Sequence, residues 1–407
     1  MQDATVKVEM RVWLPLLWLA VLLAAAFLLP DRVWNTLLLG FGGMFGVAFL
    51  WARELAKGLS GARRLRFGWV AVGDLLEERF SLTNTSYLPA LWVEVLDASN
   101  VPGYRTAVVR SVSPFQTINW RETAVCLRRG QFNIGPWTLR TGDPFGIFIV
   151  THHYPSSSEI IIHPPIHGQI PIPLPAGQSN GRVRARQQSW LATLNAATVR
   201  SYQPHDPQRW IHWPTSARRG SLYVRQFDLD AAGDIWLVLD LETAVQLGRE
   251  TLGTEEHAVL LAASLAARGL RQNRGVGLAT YGQTPQIILP GQGQGQQWKL
   301  LRALALVAAD GQLSVGQALQ DVARVAQRGA AAVIITPTDK LDWLPQLASL
   351  AKRGIESNVI LLERGSFGGE GKTAVLQDAV RQLGFYAQTV RQGEIGLSTL
   401  PSVGSGP

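Results

Sequence analysis

The side chains best suited to binding or catalysis lie between Arg182 and Asp228, where eight arginines accompany two acids. Within that stretch Arg200, Arg209 and Arg218 surround Asp206, and Trp210 and Trp213 lie between them. Guanidinium groups bind carboxylates through two parallel N–H bonds and stack on indole faces. Three kinds of chemistry follow. The ion pairs can clamp one part of the chain to another. The same groups can dock an acidic partner segment or a phosphate. Alternatively, His205, Asp206 and His212 can form an acid/base or metal set, because an imidazole oriented by a carboxylate is a competent base and metal ligand.

Elsewhere the chemistry is thin. Cys126 is the single cysteine, which excludes an internal disulfide and a zinc site built from paired cysteines and favours a cytosolic-side location. The sequence holds neither a His-Glu-x-x-His helix nor a Gly-x-Ser-x-Gly elbow. His152, His153, His163 and His167 lie on or after short apolar stretches and are expected as surface or turn residues. The run Pro290–Gly295 lacks the Lys-Ser or Lys-Thr of a phosphate loop and, like Gly365–Gly369, is expected as a flexible loop.

The elements that position these residues begin with a membrane anchor. Hydrophobic residues make up 46% of the 407 residues and charged ones 17%, so more is buried here than a soluble core needs. Val12–Leu29 and Val33–Ala52 carry no charge, and each is long enough to cross about 30 Å of hydrocarbon as a helix. Only Pro30, Asp31 and Arg32 separate them, which predicts a transmembrane helical hairpin over 12–52. Trp13, Trp34 and Trp51 fall near the span ends, and Gly40, Gly42, Gly43 and Gly46 are expected to let the two helices pack closely. Lys7 and Arg11 precede the first span, and Arg53, Lys57, Arg63, Arg64 and Arg66 follow the second against Glu54 alone. This bias predicts a plasma-membrane protein with both termini and all soluble domains in the cytoplasm. Together with the Arg182–Asp228 stretch, these residues exceed the whole net charge of +8, so the basic character is local. Basic residues beside a membrane, with no nucleic-acid fold signature, indicate anionic lipid rather than nucleic acid.

Beyond a cytoplasmic N-terminus over 1–11 and a basic juxtamembrane segment over 53–64, the body changes character twice. Short apolar stretches punctuated by Gly and Pro predict an antiparallel β-sandwich over 65–166. The prolines 164, 165, 171, 173 and 175 and the following glycines predict a linker over 167–198. The Arg/Trp segment occupies 199–228. From about Gly233 to 403, strands such as Ile235–Asp240 and Ala331–Thr336 alternate with helices such as Thr254–Arg271, the pattern of a doubly wound parallel sheet. The fold class is therefore a membrane-anchored α/β multidomain chain.

The Arg/Trp segment and its flanks resemble the bacterial membrane proteins catalogued as domain of unknown function 58. The matching signature residues are Arg200, Tyr202, Asp206, Arg209, Ile211, His212, Trp213, Ser216, Ala217 and Arg218, with His205 in place of the family's glycine. Arg129–Pro136 and Asp143-Pro144-Phe145-Gly146 are also similar to family segments. The resemblance implies that the C-terminal domain is von Willebrand factor A-like. In such domains a strand ends in Asp-x-Ser-x-Ser and a later Asp completes a magnesium site. Here the corresponding residues are Asp240, Glu242, Thr243 and Asp339, without either serine, so a cofactor is not expected and magnesium is the one candidate. The resemblance further implies a MoxR-type AAA+ ATPase as partner, and no small-molecule substrate emerges. The expectation is a non-enzymatic, membrane-anchored adaptor. The alternatives are a hydrolase-type enzyme using His205, Asp206 and His212, and a divalent-metal-dependent binding module.

Overall fold

The computed structural model describes residues 4–28, 31–65, 70–104, 107–168, 170–177, 198–204, 206, 208, 211–226, 233–248 and 250–395. The chain divides into two compact units, with the boundary between Pro165 and Ile166.

The first unit starts with a strand, β1 (Thr5–Met10), where the sequence pattern predicts only a tail. Two helices follow, α1 (Leu14–Leu28) and α2 (Arg32–Gly58), and Asp31 caps the second by accepting the Val33 N–H. At 1.5 Å per residue α2 is about 40 Å long. It is the one helix among the described residues that is long and apolar enough to cross a membrane; α1, at 15 residues, is shorter than the 18-residue apolar run that contains it. The expected packing role of Gly40, Gly42, Gly43 and Gly46 does not hold, because an added Cβ at any of them meets nothing within 4 Å.

The remaining strands of this unit are β2 (Leu59–Leu65), β3 (Leu75–Asn84), β4 (Ala90–Asp97), β5 (Ala107–Val112), β6 (Gln116–Val125), β7 (Gly130–Ile134), β8 (Trp137–Gly142), β9 (Phe148–Tyr154) and β10 (Ser158–Ile162). They form an antiparallel five-stranded sheet ordered β1-β9-β8-β4-β5, a three-stranded sheet ordered β2-β3-β6 and a β7–β10 ribbon. Inward residues of both larger sheets, among them Phe80, Leu82, Val93, Val95, Trp137 and Leu139, share one core. Period-two alternation carries polar residues inward as well. On β3 it buries Glu78 and Asn84 beside Leu76, Phe80 and Leu82. On β9 it places His152 in phase with Phe148, Val150 and Tyr154, so His152 is a core residue rather than a surface one. His163 is also buried, with its backbone bonded to Val70 and Val72.

The segment 53–64 is not a separate basic stretch. It comprises the end of α2, which packs Ala48 and Ala52 on Ile147, Phe148 and Val150, and most of β2. Arg63 is removed from any juxtamembrane charge count, since its guanidinium is buried between Glu78 and Asp97 at 2.8 and 2.6 Å.

The second unit opens with an irregular strap. Residues 166–177 are predicted as the sandwich end and linker, yet Ile170 and Ile172 are buried in this unit's core. The carbonyls of Ile170 and Ile172 accept from Arg268, that of Pro173 from Asn358 and that of Pro175 from Arg274. Prolines prevent a regular ladder here, and side-chain donors satisfy the backbone instead. The rest of the predicted linker, 178–197, lies outside the described residues. After it come β11 (Thr198–Ser201), α3 (Trp213–Arg219) and β12 (Tyr223–Gln226), with β11 and β12 paired antiparallel.

The sheet that follows is made of β13 (Ile235–Leu239), β14 (Val276–Tyr281), β15 (Pro285–Gly291), β16 (Ala331–Thr336), β17 (Glu356–Leu362) and β18 (Tyr386–Val390). Its order is β15-β14-β13-β16-β17-β18, and every pairing is parallel except that of β15 with β14. The helices are α4 (Thr254–Arg271), α5 (Gly293–Leu306), α6 (Val315–Val325), α7 (Leu344–Lys352) and α8 (Thr373–Gln382). Two apolar clusters, one holding Leu237 and Leu239 and the other Trp236 and Val238, cover opposite faces of the sheet, which is why β13 is uniformly buried. The glycine-rich run at 290–295 is not a loop: it ends β15 and begins α5. Arg364–Phe367 forms a 3-10 turn where a second glycine loop is expected.

Candidate functional site

The Arg/Trp signature folds as a small hairpin, and its residues divide into those that build it and those that it exposes. Arg200 on β11 donates to both carboxylate oxygens of Asp206 at 2.7 and 2.6 Å, and the Gln203 N–H adds a third bond at 2.8 Å. His212 precedes α3 and caps it. Its Nδ1 accepts the Thr215 N–H at 3.3 Å and lies 2.8 Å from the Thr215 hydroxyl. Ser216 is buried; its hydroxyl donates to the His212 carbonyl and accepts the Tyr223 N–H, tying α3 to β12. Tyr202 is half-buried and bonds Leu222 through its backbone. Gly220 closes the helix in the left-handed region at φ 68°, where a side chain is strained.

What remains faces outward. Trp213 is 66% exposed, with Ala217 one turn later and Arg218 beside it. His205, Arg209 and Trp210 lie outside the described residues. Of the acid/base set, Asp206 is engaged by a guanidinium and His212 by the helix it caps. The exposed Trp213 and Arg218 have the chemistry of docking groups: an indole for stacking and a cation for carboxylate or phosphate.

The second candidate is the rim at the carboxyl ends of β13, β16 and β17, where open α/β sheets hold ligands. Asp240 follows β13 and is buried. The Thr336 hydroxyl, at the end of β16, donates to its Oδ2, and the Glu242 N–H donates to its Oδ1 at 3.2 Å. Burial, against those two hydrogen bonds, pushes the carboxyl up to about 6. Glu242 lies 3.6 Å from the Lys340 ammonium, and Asp339 lies 3.9 Å from the Arg364 guanidinium. Arg364 also donates to the carbonyls of Val245, Pro337 and Glu370, locking it across the rim. Thr243 turns its hydroxyl toward the Ala309 and Gly311 carbonyls at 3.2 and 3.1 Å.

This arrangement does not suit a divalent cation. Magnesium requires a near-octahedral set of oxygens, whereas here the Thr243 hydroxyl is turned to backbone carbonyls, the Thr336 hydroxyl is donated to Asp240, and two of three carboxylates face Lys340 and Arg364. Among the described residues no group of three metal-binding side chains is present. The sequence reading misses Thr336, Lys340 and Arg364. Their signal is positional, since each ends or closely follows a buried parallel strand.

Uncharacterized protein YeaD of Bacillus subtilis (strain 168) is 25% identical over 215 residues, which are 51% of this chain and 50% of that protein. Uncharacterized protein Rv1480 of Mycobacterium tuberculosis (strain ATCC 25618 / H37Rv) is 27% identical over 161 residues, 38% of this chain and 50% of that one. The chain thus spans about half the length of the curated relatives it matches. Among solved structures, von Willebrand factor type A from Catenulispora acidiphila is similar at 10% identity with a TM-score of 0.28, covering 40% of each chain. Proximal thread matrix protein 1 from the mussel byssus is similar at 12% identity and a TM-score of 0.31, over 39% of this chain and 43% of that one. Likenesses this distant carry no functional weight. The model of the family described as Protein of unknown function DUF58 matches residues 198–362, from the first residue of β11 to the last of β17, the region that carries the signature.

Proposed function

We propose that this protein is a non-enzymatic, membrane-anchored adaptor: α1 and α2 cross the bacterial inner membrane as a hairpin, and the second unit binds a protein partner in the cytoplasm. The observation that carries the anchor is the position of β1. It precedes the apolar helices yet pairs along its whole length with β9, while β2, immediately after them, enters the same unit. A chain that leaves and re-enters one folded body crosses a bilayer an even number of times. Exposed apolar side chains along both helices, from Leu16 and Trp18 to Leu39 and Phe41, support insertion. Arg11, Arg53 and Lys57 at the body side support a cytoplasmic orientation.

The partner-binding reading rests on the exposed Trp213 and Arg218 side chains and on a rim whose charges are balanced by Lys340 and Arg364. By the family resemblance, the partner class is a MoxR-type AAA+ ATPase. Full-length tagged protein purified gently from native membranes, with and without ATP, tests this. An AAA+ ATPase enriched in a nucleotide-dependent way, and lost from a Trp213→Ala/Arg218→Ala variant that still folds, supports the adaptor. Folded protein that emerges alone under both conditions overturns it.

A further inference from the structure

We infer that the end of the sandwich from which the hairpin emerges is itself a lipid-contacting surface, in which Tyr87, Phe115 and Phe145 sit at the headgroup level of the membrane. This rests on the anchored reading above and extends it to the first soluble unit.

Strand register places three loops at one end of that unit. Met10 pairs with Phe148, Asn84 with Gln116, Ala90 with Val112 and Val93 with Thr141. The loops 85–89, 113–115 and 143–147 therefore share the end at which β1 gives way to α1. Each carries an aromatic ring pointing into solvent: Tyr87 is 79% exposed, Phe115 64% and Phe145 52%. Scattered exposed apolar residues need no explanation, but three aromatic tips on one end, continuous with an apolar hairpin, do.

These tips are built features. Asn84 is fully buried, and its amide donates to the carbonyls of Leu88, Val112 and Ser113 while its oxygen accepts from the Ser86 N–H and hydroxyl. One side chain thereby fixes both the Tyr87 and the Phe115 loops, whose rings meet edge to face at 5.0 Å. Phe115 holds φ 56°, a left-handed conformation uncommon for a residue with a bulky side chain. Asp143 is also buried and accepts the N–H groups of Phe145 and Phe148 at 2.8 and 2.6 Å. Phe148 in turn packs edge to face on Phe45 and Phe49 of α2, which joins the Phe145 loop to the hairpin.

The occupant follows from continuity and charge. Amphipathic and aromatic rings favour the headgroup layer, and exposed Arg11, Arg53 and Lys57 flank the body ends of the two helices. A surface of rings and cations that continues a membrane hairpin fits anionic lipid.

The test places bimane on introduced cysteines at Ser113, Pro144, Ser156 and Leu39 of the full chain. The native Cys126 is buried, and burial pushes its thiol up to about 11, so it does not compete for label. Vesicles of phosphatidylcholine and phosphatidylglycerol carry nitroxide lipids labelled either at the headgroup or in mid-chain. Labels at 113 and 144 are expected to be quenched several-fold more by the headgroup nitroxide than the label at 156, which lies beyond the other end of β9. Tyr87→Ser/Phe115→Ser/Phe145→Ser is expected to bring the 113 label down to the 156 level. If the label at 39 is quenched by mid-chain lipid but those at 113 and 144 match 156, the inference falls and the anchor stands. An unquenched label at 39 overturns both.

Discussion

Each unit of this protein buries a carboxylate, and the two are handled in opposite ways. Glu78 in the sandwich meets a guanidinium: Arg63 bonds it through Nε and Nη2 at 2.8–3.0 Å and also reaches Asp97, and the Tyr104 hydroxyl donates to the same carboxylate. Asp240, just after β13, meets among the described residues a hydroxyl and a backbone amide, and Lys340 and Arg364 contact its neighbours instead. Burial pushes both carboxyls upward; the Tyr104 hydroxyl and Arg63 oppose it at Glu78, whereas Asp240 reaches about 6. A buried charge with its counter-ion in contact is a structural pin. Asp240, whose carboxylate contacts neutral donors, is instead held up at about 6 by burial.

The largest effect expected is at the pin. Arg63→Ala strands Glu78 and Asp97 without a cation, and the first unit should lose about 3–5 kcal/mol, read by urea unfolding or by hydrogen exchange of β3 and β4. Arg63→Met/Glu78→Gln/Asp97→Asn, which removes the charges together, should recover much of that loss. If the single variant is no worse than the triple, the contrast fails.

At Asp240 the folded state holds a proton that the unfolded chain releases near pH 3.9. The stabilisation is fully present below that value and is lost as pH rises through about 6. Relative to Asp240→Asn, the wild type should therefore lose about 2 kcal/mol between pH 4 and pH 7. Exchange of the β13 amides at the two pH values measures it. A difference independent of pH removes the assignment.

Two smaller tests extend the comparison to neutral polar groups. Asn84→Ala leaves several buried carbonyls short of a donor and should cost the first unit about 2 kcal/mol. Ser216→Ala should loosen the signature hairpin by about 1 kcal/mol, while Trp213→Ala should stay within about 0.5 kcal/mol because its ring is exposed. Amide exchange at β11 and β12 separates the last two.

The legible parts of this protein were those with a strong local period. Uniformly apolar strands such as Ile235–Leu239, and helices such as Thr254–Arg271 with acids at Glu255 and Glu256 in the first turn, follow from local chemistry. The signature residues were identifiable by type and spacing, but not their division of labour. Nothing local distinguishes Ser216, which is buried and tied to Tyr223, from Ala217, which faces solvent. That depends on the antiparallel return of β12.

By itself the sequence determined the paired apolar segments, the strand-helix alternation, the DUF58 signature and the local basic charge, because each is written in neighbouring residues. Tertiary structure decided what depends on distant partners. Thr5–Met10 becomes a strand only because β9 offers it an edge, and residues 166–177 become part of the core only because Arg268, Arg274 and Asn358 satisfy their carbonyls. Arg63 changes from a membrane-side charge into a buried pin because β3 and β4 present two carboxylates to it. Whether a charged side chain is solvated or paired is a question of what lies within a few ångströms in space, and linear spacing does not carry that information.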